Sequence, residues 1–362
     1  MLVVDEFLSV TPLASQHKNY EANIADLTLY VKQELSNALS NISALTNTQH
    51  KVATTPVPNP KPNYLQYTWH NGQKVLIGKE FRIPGELLDA LGLPFKGPFV
   101  KLDEKNAEDF VFVTIASENH FDESIDAVAL AQKLFPEHHI YFYDLGLTSP
   151  QVNLVKSWCR VTLVKFNYSM YPSHVRYLTN YAFKALAALD ALKKANAIMW
   201  MDASFRLQTS NLTLIYNMAI QNGGVAQFFR SPHSIFAATD PKMFEYLVTD
   251  IEATKNTTMF GANSMLLYKT EIVYTRILHW WFLCALDQEC IAPLWSSNIC
   301  LPSADMRTVR VGQCHRQDQS AINILIANLN DFDPTRYVPE DRKKFVRLCK
   351  TGKVRLYNGT VC

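Results

Sequence analysis

The sequence is short of several things, and each shortage removes a class of function. No block of lysine and arginine stands out, and 35 basic against 33 acidic residues leave a formal net charge of +2. Nucleic-acid binding needs a concentrated positive field, so nucleic acid is excluded as an expected partner. No Cys-x-x-Cys pair occurs among the seven cysteines, which removes zinc-ribbon and thioredoxin-like chemistry. The opening MLVVDEFLSV carries acids where a secretory leader carries positive charge, so no signal peptide is legible. The best stretch for a membrane span, Ile272 to Ile291, contains Arg276, His279, Asp287 and Glu289 and reads as a buried helix. Membrane attachment is therefore expected only through a targeting segment that this sequence does not show.

What is present is a chain able to bury a large core, 362 residues long, 48% hydrophobic and 19% charged. All cysteines except Cys159 lie at or beyond position 284, which suits a disulfide-braced tail in an oxidising lumen. N-x-[ST] triplets at Asn41, Asn167, Asn211, Asn256 and Asn358 point the same way. A secretory-pathway lumen (Golgi or ER) or the extracellular space is the expected location.

Composition and periodicity divide the chain. Ile24, Leu27, Val31, Leu35, Ala38, Ile42 and Leu45 form a helical stripe, so residues 1–52 read as a helical, stem-like segment. Residues 53–62, ATTPVPNPKP, hold four prolines and read as an extended linker. An N-terminal extension (63–106) precedes the main domain (107–330), and a cysteine-bearing tail (331–362) follows it.

Within 107–330 strands and helices alternate. Phe110 to Ile115, His139 to Tyr143, Val161 to Phe166 and Ala197 to Met201 are apolar runs of strand length. Helical patterns separate them, one with Ser149 as the expected N-cap and Pro150 at its first position. Such alternation predicts an α/β fold with a mostly parallel sheet flanked by helices, and in such sheets ligands bind outside the carboxyl ends of the strands. The run AIMWM ends in Asp202 at one of those ends. A carboxylate there either caps the next turn or holds a divalent cation that neutralises a diphosphate.

The segments FVTIASENHFDESIDAVALAQKLF, YLTNYAFKALAALDALKKANAIMWMDAS, HSIFAATDPKMFEYL and HRQDQSAINILI resemble an uncharacterised metazoan domain family. That family is in turn similar to nucleotide-sugar glycosyltransferases of the GT-A fold. The resemblance implies a GT-A-like (Rossmann-like) domain, a nucleotide-sugar donor, Mn²⁺ or Mg²⁺ as cofactor, and a glycan, protein or lipid acceptor. It makes Asp202 the first acid of a D-x-D-type motif whose third member is Ser204, a poorer ligand for a hard cation. Lys184, one helix earlier, becomes a donor contact, with a solvated helix face as its bland alternative. Ser117 and Asn119 after the first strand, and Asp144 after the second, are candidates for the nucleoside, each also readable as a cap or turn residue. In the late run GQCHRQDQSAINILI the resemblance makes His315 a third metal ligand and Asp318 the base for the acceptor hydroxyl, although an acid at a helix start is stabilising without any function.

Trp295 is a candidate for stacking on a sugar, whereas Trp280, Trp281 and Phe282 read as core. The expected function is metal-assisted sugar transfer from a nucleotide donor, the alternative a non-catalytic GT-A-like binding protein of the secretory pathway or extracellular space. A methyltransferase or dehydrogenase is disfavoured because the first strand runs into SENHFDE without G-x-G-x-x-G. A phosphatase is disfavoured because its acid pair belongs on the first strand.

Overall fold

The computed structural model describes residues 63–68, 75–300 and 314–348. The expected stem (1–52), linker (53–62) and end of the tail, with Cys349 and Cys362, lie outside the described residues. The first strands, β1 (Gln66–Thr68) and β2 (Val75–Ile77), pair antiparallel. The alternating core comes next: β3 (Val111–Ala116), α1 (Phe121–Leu134), β4 (Ile140–Asp144), α2 (Ser149–Lys156), β5 (Val161–Lys165), α3 (Ala182–Lys194) and β6 (Ala197–Asp202). It leads into β7 (Phe205–Leu207), α4 (Thr213–Asn222), β8 (Val225–Gln227), β9 (Arg230–Ser234), β10 (Thr258–Phe260) and β11 (Ser264–Tyr268). The described chain ends with α5 (His279–Leu286), α6 (Gln317–Leu329) and β12 (Val346–Leu348).

Six strands form the central sheet in the order β5-β4-β3-β6-β11-β8. The pairs β5-β4, β4-β3 and β3-β6 are parallel, and β11 runs antiparallel between β6 and β8. This is the expected α/β class, a mostly parallel sheet flanked by helices. Its continuously apolar strands follow from having both faces covered. Side chains alternate across a strand, so Ile198 and Trp200 of β6 enter one core with α3, α5 and α6, while Ala197, Met199 and Met201 enter the other with α1 and α4.

The four strands expected from sequence occur within a residue of their predicted ends. At α2 the cap differs: the N-cap is Thr148, whose hydroxyl accepts from the Gln151 backbone N–H while the Gln151 side chain accepts from that of Thr148. This reciprocal pair displaces Ser149 because Gln151 stands at the third helical position from Thr148. The apolar stretch from 272 is largely buried, as expected, but a π-helical turn at Tyr274–Leu278 precedes α5. Trp281 and Phe282 are core, and Trp295 is 91% exposed. Among the described residues no helix is long and apolar enough to cross a membrane.

Disulfides join Cys284 to Cys290 and Cys300 to Cys314, and Cys159 is disulfide-bonded as well. The described sequon asparagines, Asn167, Asn211 and Asn256, are all exposed. Alkylation of the unreduced, denatured protein is expected to leave Cys284, Cys290, Cys300 and Cys314 unmodified. Material from a secretory host is expected to gain electrophoretic mobility on glycosidase treatment. Alkylation of all four cysteines, together with unchanged mobility, would refute a lumenal origin.

Candidate functional site

The C-terminal ends of β3 and β6 open onto a cavity of about 330 Å³ lined by Ser117, Asn119, Lys184, Asp202 and Ser204 among others. That volume lies at the lower end of the range for small-molecule sites. The period-two alternation that buries Ile198 and Trp200 turns Asp202 to the same face, towards α3. The backbone N–H of Asp202 donates to the Asn263 carbonyl at 2.8 Å, which ties the strand end to the loop before β11.

Lys184 stands in the first turn of α3, where the helix dipole disfavours a cation, and its side chain is buried. Two carboxylates offset that cost. Its Nζ donates to Asp202 Oδ2 at 2.8 Å and lies 3.4 Å from Asp318 Oδ2, with the Ala262 carbonyl at 3.5 Å. Burial alone pushes the lysine towards the neutral form, but the two aspartates outweigh it and hold its pKa above the ordinary lysine range. The Tyr181 ring lies 5.4 Å from the ammonium. The other oxygen of Asp202 accepts from the Trp200 indole N–H at 2.9 Å.

Asp318 is 4% exposed at the start of α6 and is not among the cavity-lining residues. Its Oδ2 is close enough to Lys184 for charge attraction but has no directed hydrogen bond. Burial raises its pKa to about 6, Lys184 pulling it down and Asp202 pushing it further up. The Asn323 side chain bonds to both backbone polar groups of Phe260, and the Ser320 hydroxyl donates to the Ala238 carbonyl, so α6 is held firmly where Asp318 needs to be.

Two expected members are placed elsewhere. The Asp144 carboxylate accepts from the backbone N–H groups of Gly146 and Leu147, at 2.7 and 2.6 Å, and lines a separate hollow beside β5. It is engaged as a turn residue. His315 is 1% exposed; one ring nitrogen accepts from the Asp240 N–H at 3.1 Å and the other lies 3.0 Å from the Ile291 carbonyl. Burial lowers its pKa to about 4. The expectation that His315 ligates a metal therefore gives way to a neutral imidazole clamped between two loops, with no lone pair directed at Asp202.

The donor set consequently does not fit a divalent ion. Mn²⁺ and Mg²⁺ are commonly held by one or two free carboxylates with water and phosphate completing the shell, but of the acids lining this cavity Asp202 is paired with Lys184 at 2.8 Å and Glu123 lies 3.4 Å from the His120 ring. Both Asp202 oxygens already carry protein donors, and among the described residues no group of three histidine, cysteine or acidic side chains converges on one point.

Sequence reasoning missed several contributors. Trp200 was readable from its i, i+2 relation to Asp202. Tyr181 and Gln317, adjoining α3 and Asp318, have left-handed backbones (φ 52° and 39°), unusual without glycine and carrying no sequence signal. Arg206 is buried behind the site, donating to the carbonyls of Ala203, Phe205 and Glu123, and so fixes the turn that presents Ser204. Ser117 and Asn119 bond to each other at 2.7 Å.

A protein family described as "Protein of unknown function (DUF1647)" matches residues 60–188. No curated protein matches the chain in sequence. Among solved structures the chain is similar to the bifunctional glycosyltransferase WbbM, at 11% identity and a TM-score of 0.34, over 51% of this chain and 37% of that one. It is similar to the galactosyltransferase LgtC in complex with donor and acceptor sugar analogues, at 11% identity and a TM-score of 0.33, over 65% and 99% of the two chains. Mouse xyloside xylosyltransferase 1 gives 11% identity and a TM-score of 0.32, over 62% and 83%. Likenesses this low do not bear on the site, whose reading rests on its own geometry.

Two stability effects arise from the ion cluster. Lys184→Met strands two carboxylates and is expected to destabilise the fold by about 3–5 kcal/mol in denaturant titrations at neutral pH. A loss below about 1 kcal/mol would show the pairing to be incidental. Because the folded pKa of Asp318 lies above its unfolded value, its contribution is fully present below about pH 4 and is lost as pH rises through about 6. Asp318→Asn is expected to flatten the pH dependence of unfolding free energy in that window relative to wild type, and parallel curves would contradict the assignment.

Proposed function

We propose that this cavity takes a nucleotide sugar and that the protein transfers its glycosyl group to an acceptor hydroxyl. The observation that carries the reading is the convergence of Ser117, Asn119, Lys184, Asp202 and Ser204, from three separate elements, on one cavity at the strand ends. Ser117 and Asn119 supply donors and acceptors for the nucleoside. Lys184 offers positive charge to the diphosphate, Ser204 offers a hydrogen-bond partner to a sugar hydroxyl, and Asp202 holds the lysine charged and in place.

In the transfer the bond from the anomeric carbon to the phosphate oxygen breaks, its electron pair leaving with the diphosphate. The acceptor oxygen bonds to that carbon, and its proton passes to the released diphosphate or to water. Asp318, lying outside the cavity against Lys184, acts in this reading as a positioning residue, in place of the base role expected from sequence. The disulfides favour an oxidising compartment, lumenal or extracellular, where the acceptor would be a glycan, protein or lipid. The mutual pairing of Lys184 and Asp202 favours a second reading, donor binding without turnover.

The test is calorimetry and thermal unfolding of the purified protein with a panel of UDP- and GDP-sugars. A true donor at 100 times its Kd is expected to stabilise the fold by about 2.7 kcal/mol. Asp202→Asn, which keeps the shape and removes the charge, is expected to weaken binding by at least about tenfold, or 1.4 kcal/mol. No shift with any nucleotide would sink the donor reading. A shift without release of free diphosphate in the presence of acceptor glycans would select the binding protein over the transferase.

A further inference from the structure

We infer that the Lys184 ammonium stands in for a divalent metal ion in this cavity, so that a nucleoside diphosphate binds here without metal. The inference rests on the donor reading of the cavity and deepens it by naming the cation. Three observations carry it. First, the carboxylate at the mouth of β6 is already engaged, Oδ2 of Asp202 by Lys184 at 2.8 Å and Oδ1 by the Trp200 indole at 2.9 Å. Second, the residue that would supply a companion oxygen ligand is Ser204, and the histidine expected to complete the set is bonded on both sides to backbone. Third, the ammonium is itself buried, lines the cavity and lies within 3.4 Å of a second carboxylate, Asp318.

A metal ion brought to Asp202 would meet a fixed positive charge a few ångströms away, in a site where water screens little. Moving the lysine aside would take from the buried Asp318 its nearest ion partner. The arrangement therefore favours the lysine as the resident cation. A nucleoside diphosphate would meet, with its phosphate oxygens, the small part of Lys184 that lines the cavity. Asp202, relieved of ligating a metal, keeps the lysine charged and in place.

The experiment uses the purified chain, with UDP and Mn²⁺ as probes. Isothermal titration of UDP into wild type is expected to give affinities within about twofold in EDTA and in Mn²⁺. Lys184→Arg, which keeps a cation, is expected to retain measurable binding, whereas Lys184→Met is expected to lose at least about tenfold. Binding of UDP that vanishes in EDTA and returns with Mn²⁺ would overturn the inference. Electron paramagnetic resonance of Mn²⁺ with wild type alone supplies an arm independent of nucleotide and of the folding of any variant. Spectra of free Mn²⁺ are expected, and a bound signal lost in Asp202→Asn would overturn the inference. If UDP binds under neither condition, the donor reading fails, while the Mn²⁺ spectra still decide whether the lysine excludes the metal.

Discussion

Keeping a lysine charged while it is buried among protein atoms is costly unless opposite charge is buried with it, and the candidate site is organised around such a pairing. Lys184 comes from the first turn of α3, Asp202 from the end of β6 and Asp318 from the start of α6. The first two are consecutive elements, the third lies more than a hundred residues later, and all meet at one nitrogen. The contact demands that β6 end at the right depth, that α6 pack against α3, and that the loop before β11 bring the Ala262 carbonyl to the same point. The left-handed backbones at Tyr181 and Gln317 adjoin the elements that carry Lys184 and Asp318, where packing can sustain a conformation the isolated chain would avoid.

The sheet explains why the chemistry collects at its edge. Strands covered on both faces disfavour charged side chains along their length, so charge collects at the residue where a strand leaves the layer. At β6 that residue is Asp202. At β4 it is Asp144, whose carboxylate is used by the backbone of the next turn. The two strand-end aspartates have different roles because the chain leaves them differently. After Asp144 a glycine lets the chain fold back under the carboxylate, with Gly146 at φ 125°. After Asp202 the chain enters β7, whose turn is held by the Arg206 guanidinium, and the carboxylate remains directed to α3.

This difference marks the limit of what the sequence discloses. The strands and their order of alternation were legible because they depend on local apolar periodicity. Asp202 was legible as a charge ending an apolar run, and Lys184 only through the resemblance, its helix carrying Asp190, Lys193 and Lys194 as well. Their mutual pairing was not, because it depends on which face of α3 meets which end of β6, and a contact across that distance leaves no local trace. His315 illustrates the same limit from the other side. A histidine beside acids in a late polar run has the composition of a ligand, yet its partners are backbone groups at Asp240 and Ile291, which any residue type could have supplied. The Thr148 cap was open to prediction, since Thr-x-x-Gln is a capping box in the sequence itself.

The same electrostatics account for the serine at position 204. In a site built on a metal dication, a second carboxylate beside the first is balanced by the ion's double charge. Here the resident charge is a single ammonium that already faces Asp202 and the buried Asp318. Burial holds the Asp318 pKa above the ordinary carboxylate range, at about 6, although Lys184 pulls it down. A further acid at position 204 would repel Asp202 and any phosphate entering the cavity. A hydroxyl keeps the hydrogen-bonding capacity at that point and adds no charge. The Ser204 that makes a poor metal ligand is an uncharged residue that a lysine-centred cluster tolerates.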